Sequence, residues 1–417
     1  MSNNKNNRLD IFCRIVDNYG DIGVCWRLSQ QLAHEHHLQV RLFIDDYSTA
    51  SKIISQLDIN LQQQSVSGVE ICAWPKLENK SEFNTEIKPA DVVVETFSCG
   101  LPDIYIQQMQ PNKTIWINLE YLSAEAWVSD FHAKPSPHPT LPLTKHYFFP
   151  GFFSDTGGLI RKTNLIAQRD EFLNSKTMLR EFWQKLGILN PEILQSESED
   201  SILNSVKISL FHYPQANINS LFSALEKADQ PIRLFLPFNG DIATLNDNLT
   251  DFKLEVGEVL HKGNLTVHLV PFLSQADYDH LLWACDLNFV RGEDSWIRAV
   301  WAGKPFIWQP YIQTDDTHIK KLNAFLEAYS SDASSDVKSL LRESNLAWSN
   351  SSNITNDEAI PSNNITQDKS SQSELWQSLI NHLPALHAYA VQQSNALATQ
   401  PDLATKLVIF SENLRKK

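Results

Sequence analysis

The stretch Asp10-Ile11-Phe12-Cys13-Arg14-Ile15-Val16-Asp17-Asn18-Tyr19-Gly20-Asp21-Ile22-Gly23-Val24-Cys25-Trp26-Arg27-Leu28 decides how the 417-residue chain is read. Ile11–Val16 reads as a buried strand, residues 17–23 as a tight loop, and the segment from about Val24 to His36 as an amphipathic helix. Such a unit opens a parallel α/β sheet, and open α/β sheets bind ligands at the carboxyl ends of their strands. Gly20 and Gly23 are expected to allow positive φ and close backbone approach. The loop is not G-x-G-x-x-G, because the first glycine is missing and acids stand in its place. A dinucleotide would meet two negative charges there, Asp17 and Asp21, whereas a cation or an acidic hydroxyl would not. A plainer reading, with Asp21 as a helix cap and Asp17 as a turn residue, stands beside the chemical one.

Working outward, Val40–Ile44, Val69–Ala73, Val92–Thr96 and Thr114–Leu119 are further strand candidates, with a helix through Ser51–Leu57. Residues 134–158, rich in proline, break the alternation and read as loop. One helix is predicted over Arg169–Leu186. A second series begins at Val206. Its strands are Ile208–His212, Ile232–Pro237, Leu265–Val270, Leu287–Val290 and Pro305–Gln309, and its helices Asn219–Ala228, Ser274–Ala284 and Ser295–Ala302. The expectation is α/β with two doubly wound halves and a cleft between them. The domains are set at 1–185, joined by a C-terminal helix over 401–417, and 186–400. Residues 330–373, rich in Ser, Asn and Asp, are taken as an insertion or mobile loop, because such a composition buries too little apolar area to offset ordering entropy. Leu375–Tyr389 and Leu403–Leu414 close the chain as helices.

Composition narrows the class. A hydrophobic share of 42% is that of a globular protein. The formal net charge of −14 argues against a nucleic-acid backbone as partner and suits a basic protein partner, which an acidic field steers in. Five cysteines, with no CxxC pair, argue against a disulfide framework or zinc site and favour a reducing cytoplasm. The polar N-terminus shows no signal-peptide core, and no run approaches the roughly 20 apolar residues that span a bilayer. His132, His138 and His146 do not share one helical face and no carboxylate clusters with them, so no metal site is expected.

Two more constellations carry chemistry. In Asn288-Phe289-Val290-Arg291-Gly292-Glu293-Asp294-Ser295-Trp296-Ile297-Arg298-Ala299 a strand runs into a charged turn and then a helix. Ser295 and the first-turn amides suit a diphosphate, Arg291 adds a charge-assisted contact, and Glu293 accepts from sugar hydroxyls. Here a capping role for Asp294 or Ser295 is the plain alternative. Phe211-His212-Tyr213-Pro214 and Pro271-Phe272-Leu273-Ser274-Gln275 end two other strands; their aromatic rings can hold a nucleobase, with Gln275 reading its edge, or can simply finish the core.

Asp10–Leu28, Phe211-His212-Tyr213, Pro271-Phe272, Leu282–Asp286 and Asn288–Gly303 together closely resemble the bacterial elongation factor P arginine rhamnosyltransferases. The resemblance covers most of residues 10–325 and the closing helices. It implies a GT-B glycosyltransferase with two Rossmann-like domains, an acceptor-binding first domain and a nucleotide-sugar-binding second. It implies inverting transfer of rhamnose from dTDP-β-L-rhamnose to an arginine of elongation factor P, with no cofactor and no metal. A guanidinium, with its pKa above about 12, is a poor nucleophile until a carboxylate orients it and accepts a proton. The resemblance makes Asp21 the general base and gives Asp17 the acceptor arginine or the loop. It places Glu293, Asp294 and Ser295, with Arg291, on the diphosphate and ribose, and Phe211, Tyr213, Phe272 and Gln275 around thymine and the diphosphate. A non-catalytic nucleotide- or protein-binding module, and a glycosyltransferase with another acceptor, are the alternatives.

Overall fold

The computed structural model describes residues 8–16, 19–74, 88–238, 255–349 and 369–416. Asp17 and residues 350–368 of the Ser/Asn-rich stretch lie outside the described residues. The chain divides into two compact units, Met1–Leu165 with Leu397–Lys417, and Ile166–Ala396.

In the first unit the strands are β1 (Arg8–Cys13), β2 (Gln39–Ile44), β3 (Gln63–Val66), β4 (Val69–Ala73), β5 (Val92–Thr96), β6 (Ile115–Leu119), β7 (Pro135–Pro137) and β8 (Thr144–Phe148). They form one sheet in the order β3-β4-β2-β1-β5-β6-β8-β7. Pairing is parallel from β4 through β8. Every residue of β5 and β6 is buried, as sheets covered on both faces require. Each edge is an antiparallel hairpin. The β3–β4 turn is Ser67-Gly68, with φ of 46° and 74°; a two-residue turn of this hand needs left-handed conformations, which glycine adopts without strain.

Residues 134–158, expected as loop, contain β7 and β8. Thr144-Lys145-His146-Tyr147-Phe148 presents no continuous apolar run, and the prolines of β7 lie on the sheet edge, where a missing N–H costs no ladder bond.

Aromatic rings fill this unit's core. Phe12 stacks on Phe43 at 4.4 Å and meets Tyr105 edge-on at 4.7 Å. The first acid of the quoted stretch belongs to the same core. Asp10 is fully buried and accepts Arg41 Nε at 2.7 Å, Arg41 Nη2 at 2.6 Å, the Ala90 amide at 2.9 Å and the Tyr105 hydroxyl. The closing helix Leu403–Arg415 is capped by Asp402, which also accepts Gln31 Nε2 at 2.9 Å, and its Phe410 packs against Phe148.

In the second unit β9 (Val206–Leu210), β10 (Ile232–Phe238), β11 (Val259–Lys262), β12 (Leu265–Pro271), β13 (Leu287–Arg291) and β14 (Phe306–Gln309) form a sheet in the order β11-β12-β10-β9-β13-β14. It is parallel except for β11 against β12. The helix expected over Arg169–Leu186 is two helices, Leu165–Asn174 and Lys176–Lys185, the second capped by Ser175. They pack in this unit, so the division falls at Leu165 and not at residue 185. Phe172 stacks on His280 at 4.6 Å and Trp183 on Phe235 at 4.8 Å, while Arg169 donates to the Trp301 carbonyl at 2.9 Å.

The stretch taken as an insertion also differs. Ser335–Ser349 is a helix whose Val337, Leu340, Leu341 and Trp348 are buried at helical spacing. Trp348 meets Phe289 at 4.7 Å, and Asn345 Oδ1 accepts the Trp308 amide at 2.8 Å. The sequence continues as helices Lys369–Asn381 and Leu383–Ala398. Among the described residues no helix is long and apolar enough to cross a membrane.

Asp10→Ala leaves the Arg41 guanidinium and the Tyr105 hydroxyl without their carboxylate. It is expected to destabilise the first unit by about 3–5 kcal/mol, the cost of breaking a buried ion pair. Urea unfolding followed by tryptophan fluorescence checks this; an unmoved midpoint would remove Asp10 as the anchor.

Candidate active site

Both sheets reverse their strand order once. In the first, β1 leads outward to β2 and β4 on one side and the chain then returns to β5 on the other. In the second, β9 leads to β10 and β12 before the chain returns to β13. At such a reversal neighbouring connections leave over opposite faces, so a crevice stays open at the strand ends.

At the first reversal lies the loop after β1. The helix that follows is Gly20–His34, beginning four residues before the predicted start, so Asp21 and Gly23 are helical. Neither Gly20 nor Gly23 has positive φ, in contrast to the expectation. Both lie in the first helical turn, where the Gly23 amide donates to the Tyr19 carbonyl at 2.9 Å. Asp21 is buried and is not the N-cap; that position is Tyr19, without a side-chain cap. Instead Asp21 reaches back over the loop. Its Oδ2 accepts the Val16 amide at 2.7 Å and its Oδ1 accepts the Tyr121 hydroxyl at 3.2 Å. One residue earlier the Ile15 amide donates to Asp45 at 3.0 Å. Two carboxylates therefore shape the backbone that leads into the acidic loop.

The second reversal brings together three of the predicted residues. Phe211 and Tyr213 follow β9, and Arg291 ends β13 beside it. The Arg291 guanidinium carbon lies 4.2 Å from the Phe211 ring centre and 4.6 Å from that of Tyr213, and Nη1 donates to the His212 carbonyl at 3.1 Å. Rings on both sides hold this cation by its π faces. No carboxylate pairs with it among the described residues. Phe211 thus offers one face to an arginine, and Tyr213 is buried, its amide held by Gln309 Oε1 at 2.8 Å.

Ser295 closes the turn: its hydroxyl accepts the Arg291 amide at 3.1 Å and donates to the Arg291 carbonyl. Its side chain is committed to the backbone, and the anion-binding capacity of this turn rests on amides and on Arg291. Glu293 occupies the N-cap position of helix Asp294–Ala302 without capping by its side chain. That helix ends on Gly303 at φ 63°, a left-handed C-cap. Gln275 Nε2 lies 3.4 Å from Asp294 Oδ2, and Phe272, half-buried, follows β12. β12 is two strands from β9, roughly 10 Å across the sheet.

Among the described residues no group of three His, Cys, Asp or Glu is placed to hold a metal ion. His132 Nδ1 accepts the Phe149 amide at 3.1 Å, and burial lowers its pKa to about 4. Burial also lowers His212 to about 4, with the Arg291 charge acting in the same direction.

The chain matches the family model described as "Elongation-Factor P (EF-P) rhamnosyltransferase EarP" over residues 9–412. It belongs to that family. A protein-arginine rhamnosyltransferase of Pseudomonas putida is 41% identical over 406 residues, 97% of this chain and 98% of that protein. One from Pseudomonas aeruginosa is 38% identical over 403 residues, covering 96% and 98%. A solved structure concerned with EarP-mediated arginine glycosylation of translation elongation factor EF-P is 32% identical, covers 97% of this chain and 99% of that one, and gives a TM-score of 0.62. The chain is an enzyme of the glycosyltransferase class with the GT-B fold, built from two Rossmann-like units.

Sequence reasoning missed Tyr121, which touches Asp21, and Gln309, which holds Tyr213. Both follow or end a parallel strand on the ligand edge, a position that could have flagged them.

Buried neutral histidines make stability depend on acid. An unfolded histidine titrates near 6.5, and His132 and His212 are held near 4 in the fold. Their contribution is present above pH 6.5 and is lost as pH falls from 6.5 toward 4, where the unfolded chain binds more protons. The thermal midpoint is expected to fall across that window, and His132→Phe to flatten part of the fall. A profile that is identical in that variant would exclude His132 as a source.

Proposed function

We propose that the chain transfers rhamnose from dTDP-β-L-rhamnose to an arginine side chain of elongation factor P, inverting the anomeric centre. The reading is supported by membership of the family and by the relatives named for protein-arginine rhamnosylation. The observation that carries the chemistry is Asp21: a buried carboxylate at the reversal point of the first sheet, held by an amide and a phenol.

In this reading a guanidinium nitrogen of the acceptor attacks C1 of the sugar from the face opposite the nucleotide. The bond from C1 to the diphosphate oxygen breaks, its electron pair leaves with dTDP, and the proton from the attacking nitrogen passes to Asp21. Asp17 orients the same guanidinium or holds the loop. On the donor side, Arg291 and the first-turn amides of helix Asp294–Ala302 balance the charge that grows on the leaving diphosphate. Glu293 and Asp294 take ribose and sugar hydroxyls. Phe272 and Gln275 hold the thymine, while Phe211 and Tyr213 act through the arginine they clamp. No metal is assigned a role.

Asp21→Asn is expected to abolish transfer and leave donor binding nearly intact. Titration calorimetry with dTDP-rhamnose and a mass-shift assay on elongation factor P read the two effects separately. Normal turnover in that variant removes Asp21 as the base. Hydrolysis of the sugar nucleotide with no mass shift on the factor points instead to another acceptor, and neither reaction to a binding module.

Arg291→Ala and Glu293→Ala are each expected to weaken donor affinity about tenfold or more, as loss of a charge-assisted hydrogen bond does. Unchanged affinity in either variant removes that residue from the donor site. Chelator is expected to leave the rate unaltered, and a lasting loss would assign the diphosphate to a metal.

A further inference from the structure

We infer that Tyr121 is a positioning residue for Asp21, and that the left-handed pair Phe97-Ser98 is the shelf that holds Tyr121 in place. The inference rests on Asp21 being the base.

Tyr121 lies just beyond β6, and its ring stacks face to face on Phe97, with centres 4.2 Å apart and planes within 10°. From that stack the hydroxyl donates to Asp21 Oδ1, while Oδ2 accepts the Val16 amide. The two carboxylate oxygens are thus addressed from two strand ends, β1 and β6. This fixes the plane of the carboxylate, which sets the direction in which its remaining lone pairs point.

The shelf has an unusual backbone. Phe97 and Ser98 have φ of 56° and 52°. Left-handed geometry is sparsely populated by bulky side chains, and it persists only where the surroundings fix it. Here they do. The Phe97 amide donates to the Leu119 carbonyl at 2.6 Å and the Ser98 amide to Asn118 Oδ1 at 3.2 Å. Ser98 Oγ donates to Glu120 at 2.8 Å and accepts Asn118 Nδ2 at 3.0 Å. Beyond them the Gly100 amide donates to buried Glu95 at 3.0 Å, whose other oxygen takes Trp116 Nε1 at 3.0 Å and Lys145 Nζ at 3.1 Å. The links to Asn118, Leu119 and Glu120 tie the loop after β5 to the end of β6, where the Phe97 ring meets Tyr121.

Packing alone does not account for the hydroxyl. A phenylalanine at 121 would stack on Phe97 equally well. What the oxygen adds is a donor aimed at the carboxylate, which fixes where that group points.

Tyr121→Phe, which keeps the stack, is expected to lower kcat about ten- to a hundredfold, the span of a hydrogen bond to a charged group. KM for dTDP-rhamnose, its affinity by calorimetry and the thermal midpoint are expected to stay unchanged. Phe97→Leu, which keeps the hydroxyl but removes its support, is expected to give a smaller loss of kcat with KM likewise unchanged. Wild-type kcat in Tyr121→Phe, or a loss matched by weaker donor binding or a lower midpoint, overturns the positioning role; full activity in Phe97→Leu overturns the shelf. Asp21→Asn is measured alongside. If it keeps turnover, the base assignment itself falls; if it is inactive while Tyr121→Phe is normal, only the positioning role falls.

Discussion

Each of the two sheets reverses its strand order at one place, and there a crevice opens at the strand ends. The central strands β5 and β6 are covered on both faces, and a charge inside such a sheet survives only when paired. Asp10 meets Arg41, and Glu95 meets Lys145. Breaking such buried pairs costs about 3–5 kcal/mol, whereas an exposed pair such as Arg180 with Glu199 is screened by water and contributes little. Charges in the covered part of a sheet are therefore structural by necessity. Only at the reversal points, where two connections part over opposite faces, can a polar side chain meet a ligand.

The two reversal points are built differently. After β1 the chain places Arg14 and Asp21, with Asp17 in the same loop sequence, while Asp45 follows β2 and Glu120 follows β6. After β9 and β13 it places Arg291, clamped by rings and donating to a main-chain carbonyl. A second arginine nearby, Arg298, is buried and bound through two nitrogens by Asp279 at 2.8 and 2.7 Å, so its charge is committed within the fold. Arg291 lies instead against the Phe211 and Tyr213 rings. A cationic acceptor suits the first unit and an anionic leaving group the second, which is the division of labour a transferase needs.

The parts of the fold legible in the sequence are those whose physics is local. β1, β5, β6, β9 and β13 are rich in apolar residues because both faces are covered, and each was placed to within a few residues. β3, β7, β8 and β11 lie at or near sheet edges, half exposed, and carry no such run. Helix Ser335–Ser349 escaped because it lies between segments rich in Ser, Asn and Asp, while four apolar residues at helical spacing decide its packing. The acids of the first loop and the turn at Arg291 were legible as strand-end motifs. The contact from Tyr121 to Asp21 was not, because it joins residues 100 positions apart through a Phe97 conformation that no side-chain preference announces.

The glycines of the first loop show how the site chooses its ligand. They were expected to give positive φ and close backbone approach, yet both are helical, at a cost of about 0.5–1 kcal/mol each relative to alanine. That arrangement starts the helix early enough to carry Asp21 into its first turn, where the positive end of the macrodipole favours a carboxylate by about 0.3–1 kcal/mol. The chain has thus filled its own anion site with a side chain. A phosphate brought to this helix end would meet that carboxylate, and a guanidinium would find an acceptor there. The second unit also has an acid, Asp294, in the first turn of its helix, so a helix end alone does not separate the two sites. At the second site the turn that precedes the helix also carries Arg291, held against the Phe211 and Tyr213 rings and the His212 carbonyl.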